Sequence, residues 1–159
     1  ANADTIANFS NGTPGSDLIN IAGVTLRSGN GTVLATTNSA GSDGTFTTSA
    51  IDLDAGTVTL NTTDLVVRDT ASSATTAAWG TQAAVDAYVN TLVANSANIM
   101  TTANTKILIA VEGSTANTFA LFLYDEGALD AGIQATELSL VGVFTGNTFA
   151  TDVVADAFI

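Results

Sequence analysis

Two apolar runs separated by six residues constrain the fold of this chain more than any other feature. Lys106-Ile107-Leu108-Ile109-Ala110-Val111 and Thr118-Phe119-Ala120-Leu121-Phe122-Leu123-Tyr124 are apolar at consecutive positions rather than alternate ones. A strand with one wet face alternates, whereas a strand covered on both faces reads as a continuous apolar run. These runs therefore predict central strands, and Glu112-Gly113-Ser114-Thr115-Ala116-Asn117 predicts the hairpin loop between them. Leu138–Phe144 predicts a third strand.

The first part of the chain, residues 4–69, has the texture of shorter strands. The candidates are Thr5–Phe9, Asp17–Ala22, Val24–Arg27, Thr32–Thr37, Thr45–Leu53, Thr57–Asn61 and Leu65–Arg68. Between them stand Asn11-Gly12, Gly29-Asn30-Gly31, Gly41-Ser42-Asp43-Gly44 and Asp54-Ala55-Gly56, residues that accept the backbone angles of tight turns. Residues 70–104 differ in character. A small-residue linker, 70–78, leads to Thr81, an N-cap residue type. The pattern after it puts Val85, Tyr88 or Val89, and Leu92 on one helical face, so a helix is predicted over about 81–95. Trp79 stands just before the cap, where it can fold back on the helix. Residues 106–159 return to β structure. The whole, 1–159, reads as one β-rich domain, a β-sandwich or curved antiparallel sheet with one packed α-helix. A chain of 159 residues is long enough to bury its own core.

Charge and missing residue types narrow the function. There are 15 acidic residues against Arg27, Arg68 and Lys106, a net charge of -12. Nucleic acid is excluded as a partner, since phosphate binding needs clustered cations. The chain has no His and no Cys. That removes Ser-His-Asp and Cys-His catalysis, zinc sites built on those ligands, iron–sulfur clusters and disulfides. The apolar runs are far too short for membrane insertion as helices. Thr and Ala number 27 each and Asn 13, a surface solvated by small polar groups, as suits an extracellular protein. Asp52 and Asp54 flank Leu53 and share a strand face, a pairing that serves glycoside cleavage. Few aromatic residues accompany them to stack a sugar, and the chain is read as not an enzyme. Asn8, Asn11, Asn30 and Asn61 each open an Asn-x-Ser/Thr sequon and are read as turn and strand residues.

The ends of the chain carry a resemblance. Ala3-Asp4-Thr5-Ile6-Ala7-Asn8-Phe9-Ser10-Asn11-Gly12-Thr13, then Asp17-Leu18-Ile19-Asn20-Ile21, resembles the segment that follows the glycine-rich calcium repeats of RTX proteins. Residues 120–144, with Tyr124-Asp125-Glu126-Gly127, Gly132, Ala135 and Glu137-Leu138-Ser139-Leu140-Val141-Gly142, are similar to the last hairpin of those domains. Asp156-Ala157-Phe158-Ile159 is similar to their acidic and hydrophobic tail. About the first twenty and last forty residues are covered; the middle, 23–104, is not. No Gly-Gly-x-Gly-x-Asp repeat is present. The resemblance implies a secreted bacterial protein, extracellular or at the cell surface. Its partner would be a type I secretion apparatus that reads an uncleaved C-terminus, the secretion tail Asp156, Ala157, Phe158 and Ile159.

Two candidate Ca²⁺ sites follow. Asp125, Glu126 and Asp130, with Glu137 beyond them, surround a glycine-containing turn of the kind that wraps an oxygen-seeking cation; a solvated acidic loop is the alternative. Asp4 and Asp17, near Gly12 and Gly15, form the second. The expected function is non-enzymatic: export and capping of an extracellular protein, with a calcium response. The alternative is a self-assembling structural subunit of an S-layer, sheath or filament. Lys and Pro, which commonly guard sheet edges, each occur once. In that reading, copies share an assembly strand containing Thr5, Ile6 and Phe9.

Overall fold

The computed structural model describes residues 5–7, 19, 47–51, 58–59, 64–69, 79, 81–95, 99–100, 105–113, 118–127 and 132–145. Within them the elements follow in chain order as β1 (Thr5–Ile6), β2 (Thr47–Ile51), β3 (Val58–Thr59), β4 (Asp64–Asp69), α1 (Gln82–Asn95), β5 (Ile99–Met100), β6 (Lys106–Glu112), β7 (Thr118–Asp125) and β8 (Leu138–Thr145). A 3-10 turn, Ala135–Glu137, leads into β8. The candidate strands Val24–Arg27 and Thr32–Thr37 lie outside the described residues.

Six strands form one sheet in the order β1-β8-β7-β6-β4-β2, and β3 pairs with β5 in a second, two-stranded sheet. The described residues are mainly β with one helix. Antiparallel pairing holds for the three strands that are consecutive in the chain. β6 meets β7 from Lys106↔Asp125 to Glu112↔Phe119, and β7 meets β8 from Thr118↔Thr145 to Tyr124↔Leu138. The flanking strands join in parallel: β4 on β6, β2 on β4 and β1 on β8. The sheet as a whole is therefore mixed. β4, α1 and β6 make a β-α-β unit, in which a helix carries the chain back so that the second strand can run parallel to the first.

The doubly apolar runs occupy the third and fourth places in the sheet, and both of their faces are buried. Paired residues share a face, so the register sorts the core into two layers. Ile107 with Tyr124, Ile109 with Phe122, and Val111 with Ala120 face α1. Leu108, Ala110, Phe119, Leu121 and Phe144 are buried on the opposite side. There Phe119 and Phe144, directly paired across β7 and β8, stack with ring centroids 4.5 Å apart. A bulge in β8 opposite Leu121/Phe122 leaves Val141 without a register partner on β7. Val141 is also the exposed large apolar residue among those described, at 49%.

The helix begins and packs as its sequence dictates. The Thr81 hydroxyl accepts a hydrogen bond from the Ala84 amide at 3.2 Å, satisfying one of the donors that a helix start leaves unpaired. Val85, Tyr88 and Leu92 are buried, with Val89 packed beside them. Burying each large side chain contributes about 1.5–3 kcal/mol of transfer free energy. Trp79 folds back as expected. Its ring meets Tyr88 edge-on with centroids 5.7 Å apart and Phe122 at 5.9 Å, joining linker, helix and sheet.

Candidate functional site

The turn between β7 and β8 holds the candidate metal ligands, and strand alternation decides what each can do. Tyr124 faces the helix layer, so Asp125 points the other way and Glu126 returns to the Tyr124 side. Asp125 lies opposite Lys106 in the register, and their side chains form an ion pair at 2.6 Å. Both are partly exposed, so water screens the pair. Glu126 is 1% exposed. Its backbone amide donates to the Thr105 carbonyl at 2.8 Å, which holds the chain as it leaves β7. Its carboxylate accepts a short hydrogen bond from the Tyr124 hydroxyl.

The chain returns through Gly132, whose φ of 76° lies in the left-handed region that glycine adopts without strain. Ile133 then enters the core. The Glu137 carboxylate accepts from the Gln134 amide at 2.8 Å and closes the 3-10 turn. Leu138, next in the chain, pairs with Tyr124. Asp125, Glu126 and Glu137 thus share one end of the sheet, each already engaged by a neighbour. Among the described residues no group of three carboxylates is gathered as a metal cage. Asp130, Asp4 and Asp17 lie outside the described residues, as do Phe9 and the tail Asp156, Ala157, Phe158 and Ile159. Thr5 and Ile6, from the expected assembly strand, pair within their own chain with Val143 and Phe144.

A second buried carboxylate stands at the other end of the sheet, and the sequence reading missed it. Asp69 ends β4 opposite Val111, is fully buried, and accepts a hydrogen bond from the Tyr88 hydroxyl at 3.1 Å. The expected strand, Leu65–Arg68, stopped one residue short of Asp69, and the expected linker began after it, at residue 70. One signal was present. A tyrosine on the buried face of a helix carries a hydroxyl that needs a partner inside the protein. In both Asp69–Tyr88 and Glu126–Tyr124, a phenol donates to a buried carboxylate, which is how a core accommodates so polar a group.

No helix among the described residues is long and apolar enough to cross a membrane. Comparison of the chain with protein-family models, with curated proteins and with solved structures gives no match.

Proposed function

We propose that this chain is a non-enzymatic, secreted bacterial domain of the type I export class, one that carries an extracellular protein out, caps it and responds to calcium. The observation that supports this reading is a juxtaposition. The segment around Asp4-Thr5-Ile6 and the hairpin of residues 120–144 stand at opposite ends of the sequence, and both resemble the same class of domain. In the fold they are adjacent, with Thr5 opposite Val143 and Ile6 opposite Phe144. Motifs brought together in one sheet behave as parts of one unit. The tail follows β8 after ten residues in sequence, where an exporter can engage it before the sheet closes.

Calcium belongs to the same proposal. The donors in the 125–137 turn are all oxygen, the set a hard cation takes. Asp125, Asp130 and Glu137 are the ligands assigned to it, with Glu126 supporting the turn from beneath through Tyr124. Asp4 and Asp17 form the second proposed set. A cation there also relieves the self-repulsion of a net charge of -12.

The deciding experiment is export of the double variant Phe158→Asp/Ile159→Asp through a type I apparatus. Secretion is expected to be lost while the purified variant keeps its melting temperature; undiminished secretion refutes the reading. Calcium is tested apart from export. Millimolar Ca²⁺ against EDTA at matched ionic strength is expected to raise the melting temperature. The gain corresponds to about 2.7 kcal/mol at a hundredfold excess over Kd. An unchanged melting temperature removes calcium from the proposal.

A further inference from the structure

We infer that β1 is exchangeable between copies, so that the N-terminal segment of one chain occupies the β8 edge of a second copy. The inference does not rest on the export reading. It takes up the other expectation, self-association, and names the strand and its acceptor.

Among the described residues β1 is two residues long, lies at the edge of the sheet and pairs with β8 alone, through Thr5↔Val143 and Ile6↔Phe144. The acceptor is built independently of it. β8 is held on its other side by seven residue pairs with β7, and Val143 and Phe144 are buried. Removing β1 therefore leaves a formed strand with an edge of unpaired backbone groups, a template for any strand that fits. The strand shown to fit is this chain's own residues 5 and 6, in a defined parallel register. A second copy supplies the same residues with the same hydrogen bonds. The exchanged and unexchanged states thus differ little in contact energy and chiefly in the entropy of association.

The sequence around β1 suits the exchange. It is followed by Asn11-Gly12-Thr13-Pro14-Gly15, turn-forming residues in place of strand or helix formers. Within residues 1–10 there is neither Lys nor Pro, the residues that commonly keep an edge from pairing with a neighbour. Each copy carries a net charge of -12, so exchange is opposed by long-range repulsion and favoured by salt.

The test uses the full chain, which has no cysteine of its own. In Thr5→Cys/Val143→Cys the register places the two thiols opposite each other. Strand neighbours about 5 Å apart fall within the span that a disulfide bridges. Oxidised when dilute, the variant locks β1 onto its own β8; reduced, it is free. The mass by light scattering at 0.5 M salt is expected to at least double with concentration in the reduced protein. In the oxidised protein it stays at one chain. Oxidation of concentrated protein is expected to give dimers linked between position 5 of one chain and 143 of another. A reduced protein that stays monomeric at high concentration and salt overturns the inference, as does equal association of the locked and reduced forms. Where the cysteine pair prevents folding, Ile6→Pro gives the same reading. Association lost with the helix signal intact in circular dichroism supports exchange, and association retained overturns it.

Discussion

On one side of the sheet, β6, β7 and β8 follow one another in the chain and pair antiparallel; on the other, β4 and β2 join in parallel, β4 reaching β6 only after residues 70–105. The first group is closed by local turns. The amide of Gly113 donates to the Thr118 carbonyl at 3.0 Å, and the 3-10 turn at 135–137 delivers the chain into β8. The second group is parallel, so each connection must return to the end from which its strand set out, by residues 52–63 between β2 and β4, no longer than 126–137 between β7 and β8, and by the much longer 70–105, with α1, between β4 and β6. Local closure costs little chain entropy and fixes register directly. Remote closure must be secured by packing, here of α1 on the β6–β7 layer. The difference teaches where stability is concentrated: in the hairpin layer and the helix against it, with outer strands added to a surface already formed.

Four substitutions sharpen or break that contrast. The largest effect is expected at Phe122, fully buried at the centre of β7 with its ring against Trp79 and Tyr88. Phe122→Ala should cost about 3–5 kcal/mol in urea denaturation; a loss under 1 kcal/mol would move the stable centre elsewhere. Gly113 comes next. A Cβ there would stand 2.5 Å from Thr118 Oγ1 and 2.6 Å from Trp79 Cδ1, both closer than real Cβ contacts. Gly113→Ala should cost about 1–3 kcal/mol and shift the emission of Trp79, the one tryptophan of the chain. An unshifted emission would mean that the linker does not press on the hairpin.

Thr81→Ala removes the helix cap and should cost about 1 kcal/mol, read as a lowered melting temperature. No change would mean that packing alone sets where α1 begins. The smallest effect is expected for Lys106→Met. It deletes the exposed partner of Asp125 while keeping an apolar stem. The cost should be about 0.2–1 kcal/mol and should shrink further in high salt. A larger, salt-independent loss would show that the end of the hairpin bears more stability than its exposure allows.

The same contrast explains what could be read from the residues. Ile107 to Val111 and Phe119 to Tyr124 announced central strands because burial on both faces leaves no alternation. Thr81, Val85, Tyr88 and Leu92 announced the helix because cap and face lie within one short window. The direction of β4 and β2 was not announced by their residues, since a parallel and an antiparallel strand can carry the same side chains. The available clue was the order strand, helix, strand over 64–112, which favours a parallel pair. The burial of Asp69 went unread for a related reason. A lone carboxylate at the end of an apolar run gives no sign of being buried until Tyr88, nineteen residues away, supplies its hydroxyl. Of the candidate ligands, Asp125, Glu126 and Glu137 were legible as acidic residues around a turn. Their separate partners Lys106, Tyr124 and Gln134 were not, because those depend on register and turn geometry.

Amide hydrogen exchange on the intact chain tests most directly the claim that the hairpin layer forms the stable centre and the terminal strand is an addition at its edge. The amides of β6 and β7 are expected to exchange slowest, through global unfolding, while those of Thr5 and Ile6 exchange by local opening, orders of magnitude faster. Equal protection of β1 and β7 would contradict the account.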